Sequence, residues 1–154
     1  MTNQVAIDGP AASGKTTIGK QLAKNLHCVF LDTGLMYRAA TWLARNHAIS
    51  LKNEDAITQK ISKAEIHLTI NNGFQRIIVN SEDITDMLHT SGINKSVSYV
   101  SKIKGVRDSL IQQQREIAKS DSIVMVGRDI GTVVLPDASF KFFLLASLEV
   151  RGQR

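Results

Sequence analysis

Gly9-Pro10-Ala11-Ala12-Ser13-Gly14-Lys15-Thr16-Thr17 is the stretch on which the fold of this chain turns. It reads G-x-x-x-x-G-K-T, the pattern of a phosphate-binding loop. The apolar run Val5-Ala6-Ile7 ahead of it predicts a short buried strand over 4–8. Ile18, Leu22, Ala23 and Leu26 behind it recur at helical spacing and predict a helix from Lys15 to Leu26. Strand, loop and helix in that order give the motif its structural meaning. Gly9 and Gly14 admit backbone conformations that a side chain would block. Successive main-chain N–H groups then point inward as an anion nest, and the positive end of the helix aims at the same spot. Lys15 can reach the β- and γ-phosphates of a nucleotide, and the Thr16 hydroxyl can ligate its Mg²⁺. The competing reading, a glycine-rich turn that happens to end in Lys-Thr, does not account for both flanks. The loop leaves open what is phosphorylated or hydrolysed.

Working outward, Val29-Phe30-Leu31 predicts a second strand, followed at once by Asp32-Thr33-Gly34. A helix with a long apolar face then carries Leu35, Met36, Ala39, Ala40, Trp42 and Leu43 and fades near His47. Its period assigns Met36 and Trp42 to the core. Asn53-Glu54-Asp55 predicts a capped start to a short helix reaching about Lys63. Ile66 to Ile70 alternates, Asn71-Asn72-Gly73 is turn-forming, and Arg76 to Val79 resumes as strand: a hairpin. A helical turn follows at Ile84 to Leu88. One helix is predicted from Val100 to Lys119, a buried strand at Ile123 to Val126, and another strand at Phe140 to Ala146. Ser147 is placed to cap a further helix. Alternating strand and helix predicts an α/β fold with a mostly parallel sheet and helices on both faces, carrying a small antiparallel insertion. The expected organisation is a core from 1–59, the insertion from 60–97 and the core again from 98–154.

Composition sets limits on this picture. The chain has 154 residues, 43% hydrophobic and 21% charged, which suits a globular domain able to bury a core. No apolar run approaches the length of a membrane span, and no secretion signal is expected from Met1-Thr2-Asn3-Gln4. Cys28 is the single cysteine, so neither an internal disulfide nor a cysteine metal cluster can form. A cytoplasmic monomer without membrane contact is the expectation. The net charge is +5, but the basic residues are scattered and aromatics make up 5%. That argues against a nucleic-acid partner and for phosphates bound in a cleft.

Two further polar clusters follow predicted strands. In Asp32-Thr33-Gly34-Leu35-Met36-Tyr37-Arg38, one helical turn separates Thr33 from Tyr37 and Arg38. Asp32 can hold a Mg²⁺-bound water, and Arg38 can grip a phosphate with two parallel hydrogen bonds. In Gly127-Arg128-Asp129-Ile130-Gly131-Thr132, Arg128 offers a rigid fork to a phosphate, and Asp129 offers acceptors to an exocyclic amine or a sugar hydroxyl. A local Arg-Asp salt bridge is the plainer alternative. In open α/β sheets, ligands bind beyond the carboxyl ends of the strands, where all these clusters lie.

Together with Ile7-Asp8-Gly9-Pro10 and Gly127 to Ala138, these three motifs resemble the bacterial cytidylate kinase family, in order and over essentially the whole chain. The resemblance implies a nucleoside-monophosphate kinase fold with a phosphate-binding loop. It implies the reaction ATP + (d)CMP → ADP + (d)CDP with Mg²⁺, and ATP and CMP or dCMP as partners. Gly9 through Thr17, that is Gly9, Pro10, Ala11, Ala12, Ser13, Gly14, Lys15, Thr16 and Thr17, would bind ATP. Lys15, Asp32 and Arg128 would serve the transfer, with Thr16 and Asp32 at the metal. Thr33, Tyr37, Arg38, Ser98, Arg107, Arg128 and Asp129 would bind the acceptor. The pair Ser98 and Arg107 rests on the family's Ser-to-Arg spacing for reading the cytosine edge.

The chain departs from the family pattern at two points. Val126 stands where members usually carry an acid just before the Gly-Arg-Asp run, which puts more of the metal on Thr16 and Asp32. Ser147-x-Glu149-x-Arg151-x-x-Arg154 resembles the start of the lid helix, with Arg151 and Arg154 as its candidate arginines. Family members are longer, so a lid, a last strand and a closing helix are expected beyond Arg154, and weak turnover is expected without them. Two other readings stay open: a nucleotide-binding module without transfer, and a kinase for another small acceptor.

Overall fold

The computed structural model describes residues 3–71 and 74–153, and the chain forms two compact units, Met1–Thr33 with Gln114–Arg154, and Gly34–Gln113. The first unit is built on a four-stranded sheet ordered β2-β6-β1-β7. Its strands are β1 (Gln4–Asp8), β2 (Val29–Asp32), β6 (Ile123–Gly127) and β7 (Phe140–Phe143). Every pairing is parallel, as the βα alternation requires. Asp8 stands opposite Gly127 and Phe143, and Asp32 opposite Val126, so the carboxyl ends of all four strands lie along one edge.

Helix α1 (Lys15–Leu26) covers one face of this sheet. Val5, Ile7, Val124 and Val126 alternate onto that face and cluster with Ala23; Leu22, Cys28, Phe30 and Leu144 pack around them. Ala6, Leu31 and Met125 point the other way and are equally buried. Burial of both faces is what permits near-continuous apolar runs in parallel strands. Each large side chain so buried contributes about 1.5–3 kcal/mol. Strand β7 differs. Phe140, Phe142 and Phe143 are more than half exposed, at 54%, 53% and 64%. It also ends three residues before the sequence pattern predicts, because its partner β1 ends at Asp8, whose carbonyl takes the last N–H of the pairing, that of Leu144, at 2.7 Å. Ser147 caps α6 (Leu148–Gly152) as expected, its hydroxyl accepting from the Val150 N–H.

The second unit contains most of α2 (Thr33–Asn46), then α3 (Glu54–Ser62), a three-stranded antiparallel sheet, α4 (Ser91–Val100) and the start of α5 (Lys104–Ser120). Met36, Ala39, Ala40 and Leu43 are buried at helical spacing, and the Trp42 indole donates to the Met87 sulfur at 3.2 Å. Met36 and Trp42 are both core, as the period predicts. The Asn53 side chain caps α3 by accepting from Ala56 N–H at 3.1 Å. The hairpin pairs β3 (Ile66–Asn71) with β4 (Phe74–Val79); its tip, Asn72-Gly73, lies outside the described residues. A two-residue strand, β5 (Glu82–Asp83), adds to the sheet.

The helix predicted from Val100 begins four residues later, at Lys104, and α4 is a further helix that the sequence pattern did not predict. Residues through Val100 belong to α4, and Ser101-Lys102-Ile103 form a turn before α5. The N–H groups of Lys102 and Ile103 bond three residues back, to Tyr99 and Val100, so the register of α4 is not carried forward. No helix among the described residues is long and apolar enough to cross a membrane.

Candidate active site

The loop between β1 and α1 folds as its glycines predict. Gly14 holds φ at 93°, in the left-handed region, and hands over directly to Lys15 at the start of α1. At Gly9 the constraint is space: a Cβ there would stand 2.4 Å from the Leu144 carbonyl oxygen. Ala12 also takes a positive φ of 58°, which the sequence alone did not indicate. No acidic side chain sits in the first turn of α1, so its N–H groups and positive dipole end are left for an anion. Residues 12–18 line a cleft at this point.

Lys15 and Thr16 are held at the mouth of the loop. The Lys15 ammonium donates to the Pro10 carbonyl at 2.6 Å and lies 3.4 Å from the Ser13 hydroxyl. Partial burial lowers the Lys15 pKa from its ordinary value of 10.5, and Arg128 pushes it the same way, while Asp32 and Asp8 oppose the shift. The Thr16 hydroxyl donates to Asp32 Oδ2 at 2.7 Å. Thr16 and Asp32, the two residues expected from sequence to serve a metal, are therefore in contact.

Beyond β6 the chain makes a wide turn, Ile130–Val134, with i→i+5 hydrogen bonds from Val134 to Asp129 and from Leu135 to Ile130. Arg128 is exposed just ahead of it and Asp129 half-buried. The Arg115 guanidinium closes the far end of the turn, donating to the Val133 and Val134 carbonyls at 2.7 and 2.9 Å. Its near end is held by Asp8, a buried carboxylate whose two oxygens accept from the N–H groups of Ile130 at 2.6 Å and Gly131 at 2.8 Å. Thr33 is buried, and its hydroxyl donates to the Val126 carbonyl at 3.0 Å, tying β2 to β6.

In the second unit, Tyr37 and Arg107 come together: the guanidinium stands 5.9 Å from the ring centroid. Arg38 is held by the Leu88 carbonyl at 3.0 Å and the Asn94 side chain at 2.6 Å, both from one of its terminal nitrogens. Ser98 is exposed on α4. Of the two lid candidates, Arg151 is half-buried on α6, and Arg154 lies outside the described residues.

Residues 5–154 match the family described as cytidylate kinase. The chain is 45% identical over 155 residues to a cytidylate kinase of Leuconostoc mesenteroides, covering all of this chain and 69% of the relative. It is 47% identical to one of Caldanaerobacter subterraneus, covering all of this chain and 67% of the relative, and 45% identical to one of Streptococcus pyogenes, covering 98% and 67%. The chain belongs to the cytidylate kinase family. The resemblance read in its three motifs is thereby shown, together with the phosphate-loop kinase fold.

The residues present suit the Mg²⁺ that such a kinase uses with ATP. No cluster of three or more acidic, His or Cys side chains able to hold a metal occurs among the described residues. Instead a hydroxyl and a carboxylate, both hard oxygen donors, meet beside Lys15. That set fits a small hard cation that keeps several waters and takes its remaining ligands from substrate phosphates. Val126, where the family usually has an acid, is buried in the apolar cluster under α1. Sequence reading passed over Asp8 and Asn94. The signal for Asp8 was there: a carboxylate ending an otherwise apolar strand, directly before the loop. Nothing in the sequence marked Asn94.

Proposed function

We propose that this chain transfers the γ-phosphoryl group of ATP to CMP or dCMP, in pyrimidine nucleotide metabolism and as a cytoplasmic monomer. The observation that carries the reading is the assembly of Lys15, Thr16 and Asp32 around the start of α1 in a chain of this family. An oxygen of the acceptor's phosphate attacks the γ-phosphorus. The bond from that phosphorus to the β–γ bridging oxygen breaks, and ADP leaves with the electron pair. The attacking oxygen is already anionic, so no strong general base is required. The transition state is loose, its charge spread over the peripheral oxygens, and placement with charge neutralisation supplies the catalysis. Lys15 and the amides of Gly9 to Thr17 would take the donor phosphates. Mg²⁺, held through Thr16 and Asp32, would draw charge from the β- and γ-oxygens. Arg128 and Arg38 are assigned to the acceptor phosphate. Ser98, Arg107 and Asp129 are assigned to the cytosine edge, and Thr33 and Tyr37 to acceptor binding. Arg151 and Arg154 are assigned to the start of a donor-side lid.

A coupled assay for ADP with CMP, dCMP, UMP and AMP as acceptors tests this. Turnover of CMP or dCMP well above the other two supports it. Equal rates on all four would point to a different acceptor, and binding of ATP·Mg²⁺ without ADP formation on any would point to a binding module.

A further inference from the structure

Asp8 occupies a junction that the assignments above do not use. It is the last residue of β1 and the residue before Gly9, so its main chain sets where the phosphate loop begins. Its carbonyl accepts from Leu144 at the end of β7. Its side chain is 7% exposed and spans two consecutive N–H groups, Ile130 at 2.6 Å and Gly131 at 2.8 Å. Those amides immediately follow Arg128-Asp129 in the chain. A buried carboxylate is expensive unless its oxygens are satisfied, and charge-assisted bonds to main-chain amides are about twice as strong as neutral ones. The turn it grips is a wide i→i+5 loop whose other end is closed separately by Arg115. Deleting the carboxylate therefore removes the tie from β1 to the near end, the one that carries Arg128 and Asp129, and leaves the turn's own bonds to the Asp129 carbonyl in place. The loop on the other side of Asp8 keeps its own supports, among them the Ser13 N–H on the Pro10 carbonyl and the Lys15 ammonium on the same oxygen.

We propose that Asp8 is a positioning residue which fixes the Arg128–Asp129 corner to the phosphate loop, so that the acceptor phosphate is presented in line with the donor. The inference deepens the kinase reading and rests on it for the identity of the acceptor.

The test uses the whole chain and Asp8→Asn, which keeps the size of the side chain but turns an N–H toward a main-chain N–H. The first readout is amide hydrogen exchange without nucleotide. Exchange at Ile130 and Gly131 is expected to quicken by about tenfold or more, with Val124 and Met125 in β6 unchanged. Unchanged exchange at Ile130 and Gly131 overturns the proposal whatever the substrate. The second readout is kinetic. The KM for CMP is expected to rise about tenfold while the dissociation constant for ATP·Mg²⁺ stays within about threefold. Equal losses on both sides would overturn the proposal in favour of general loosening of the loop.

Should the variant not fold, the unmutated chain carries the test. CMP is expected to slow exchange at Ile130 and Gly131 about tenfold and ATP·Mg²⁺ alone to leave it unchanged; no effect of CMP overturns the proposal. Failure of the unmutated chain to phosphorylate CMP is a separate outcome. It sinks the kinase reading and the kinetic half of this inference, while exchange without nucleotide still decides whether Asp8 holds the corner.

Discussion

The Thr16 hydroxyl donates to the Asp32 carboxylate across 2.7 Å, joining the first turn of α1 to the last residue of β2. Two residues sixteen apart in sequence thereby share one contact. Thr16→Ala and Asp32→Asn are each expected to lower kcat/KM by about 10–100-fold and to raise the Mg²⁺ concentration needed for half-maximal rate. Because the pair acts through one contact, the double variant is expected to lose less than the product of the two. A double-mutant cycle at several Mg²⁺ concentrations measures this, and strict additivity would place the two residues in separate roles.

Lys15 is partly buried, and its pKa is lowered by that burial first and by Arg128 after it. Between its folded value and 10.5, the unfolded chain holds more protons than the folded one. Stability without nucleotide is therefore expected to rise with pH across that interval, and the penalty on the charged form is complete below it. Lys15→Met should flatten the rise, as read by chemical denaturation at several alkaline pH values. The same variant should remove at least a hundredfold of activity at neutral pH, since a cation on the donor phosphates is lost. In the unmutated chain, kcat/KM for ATP should decline as pH climbs through the lowered Lys15 value.

Gly9 has no room for a methyl group, because the Leu144 carbonyl oxygen would lie 2.4 Å from its Cβ. The obstructing atom is backbone, anchored through the Leu144 N–H on the Asp8 carbonyl. Gly9→Ala is expected to destabilise the fold by about 1–3 kcal/mol and to weaken ATP binding at the same time. Thermal unfolding with and without ATP·Mg²⁺ checks both effects; an unchanged midpoint would mean that β7 yields freely.

Arg107 lies over the Tyr37 ring, so the aromatic face helps hold a guanidinium assigned to the cytosine edge. Arg107→Ala is expected to cut kcat/KM for CMP by about 10–100-fold and to narrow the gap between CMP and AMP. Tyr37→Leu should act more weakly, by about three- to fivefold, in keeping with about 0.5–1 kcal/mol for a cation–π contact between half-buried groups that is not fully desolvated. Acceptor competition assays separate the two outcomes.

What could be read from sequence was what depends on local pattern. Val5-Ala6-Ile7 and Ile123 to Val126 read as buried strands because parallel strands are apolar on both faces, and their register confirms it. Lys15, Thr16 and Asp32 were legible because the loop motif fixes the first two and a strand end the third. Arg38 was visible as a charge on a helix, yet its hold by Asn94 and the Leu88 carbonyl arises from residues about fifty positions away, which no spacing rule reaches. The start of α5 was placed four residues early because Val100 and Ile103 keep the spacing of its apolar face, and α4 was not predicted because its sequence is largely polar. The hold of Asp8 on Ile130 and Gly131 was hidden for the same reason as that of Arg38: more than a hundred residues lie between the partners.

The order β2-β6-β1-β7 also bears on how the chain comes into being. Gln4–Asp8 is synthesised before its two neighbours in the sheet, Ile123–Gly127 and Phe140–Phe143, which follow more than a hundred residues later. Its edges stay without these strands until that stretch has been made, and contacts this distant in sequence form slowly. The nucleotide cradle cannot be completed before then, and a chain interrupted ahead of Phe140 lacks one side of its central strand's pairing.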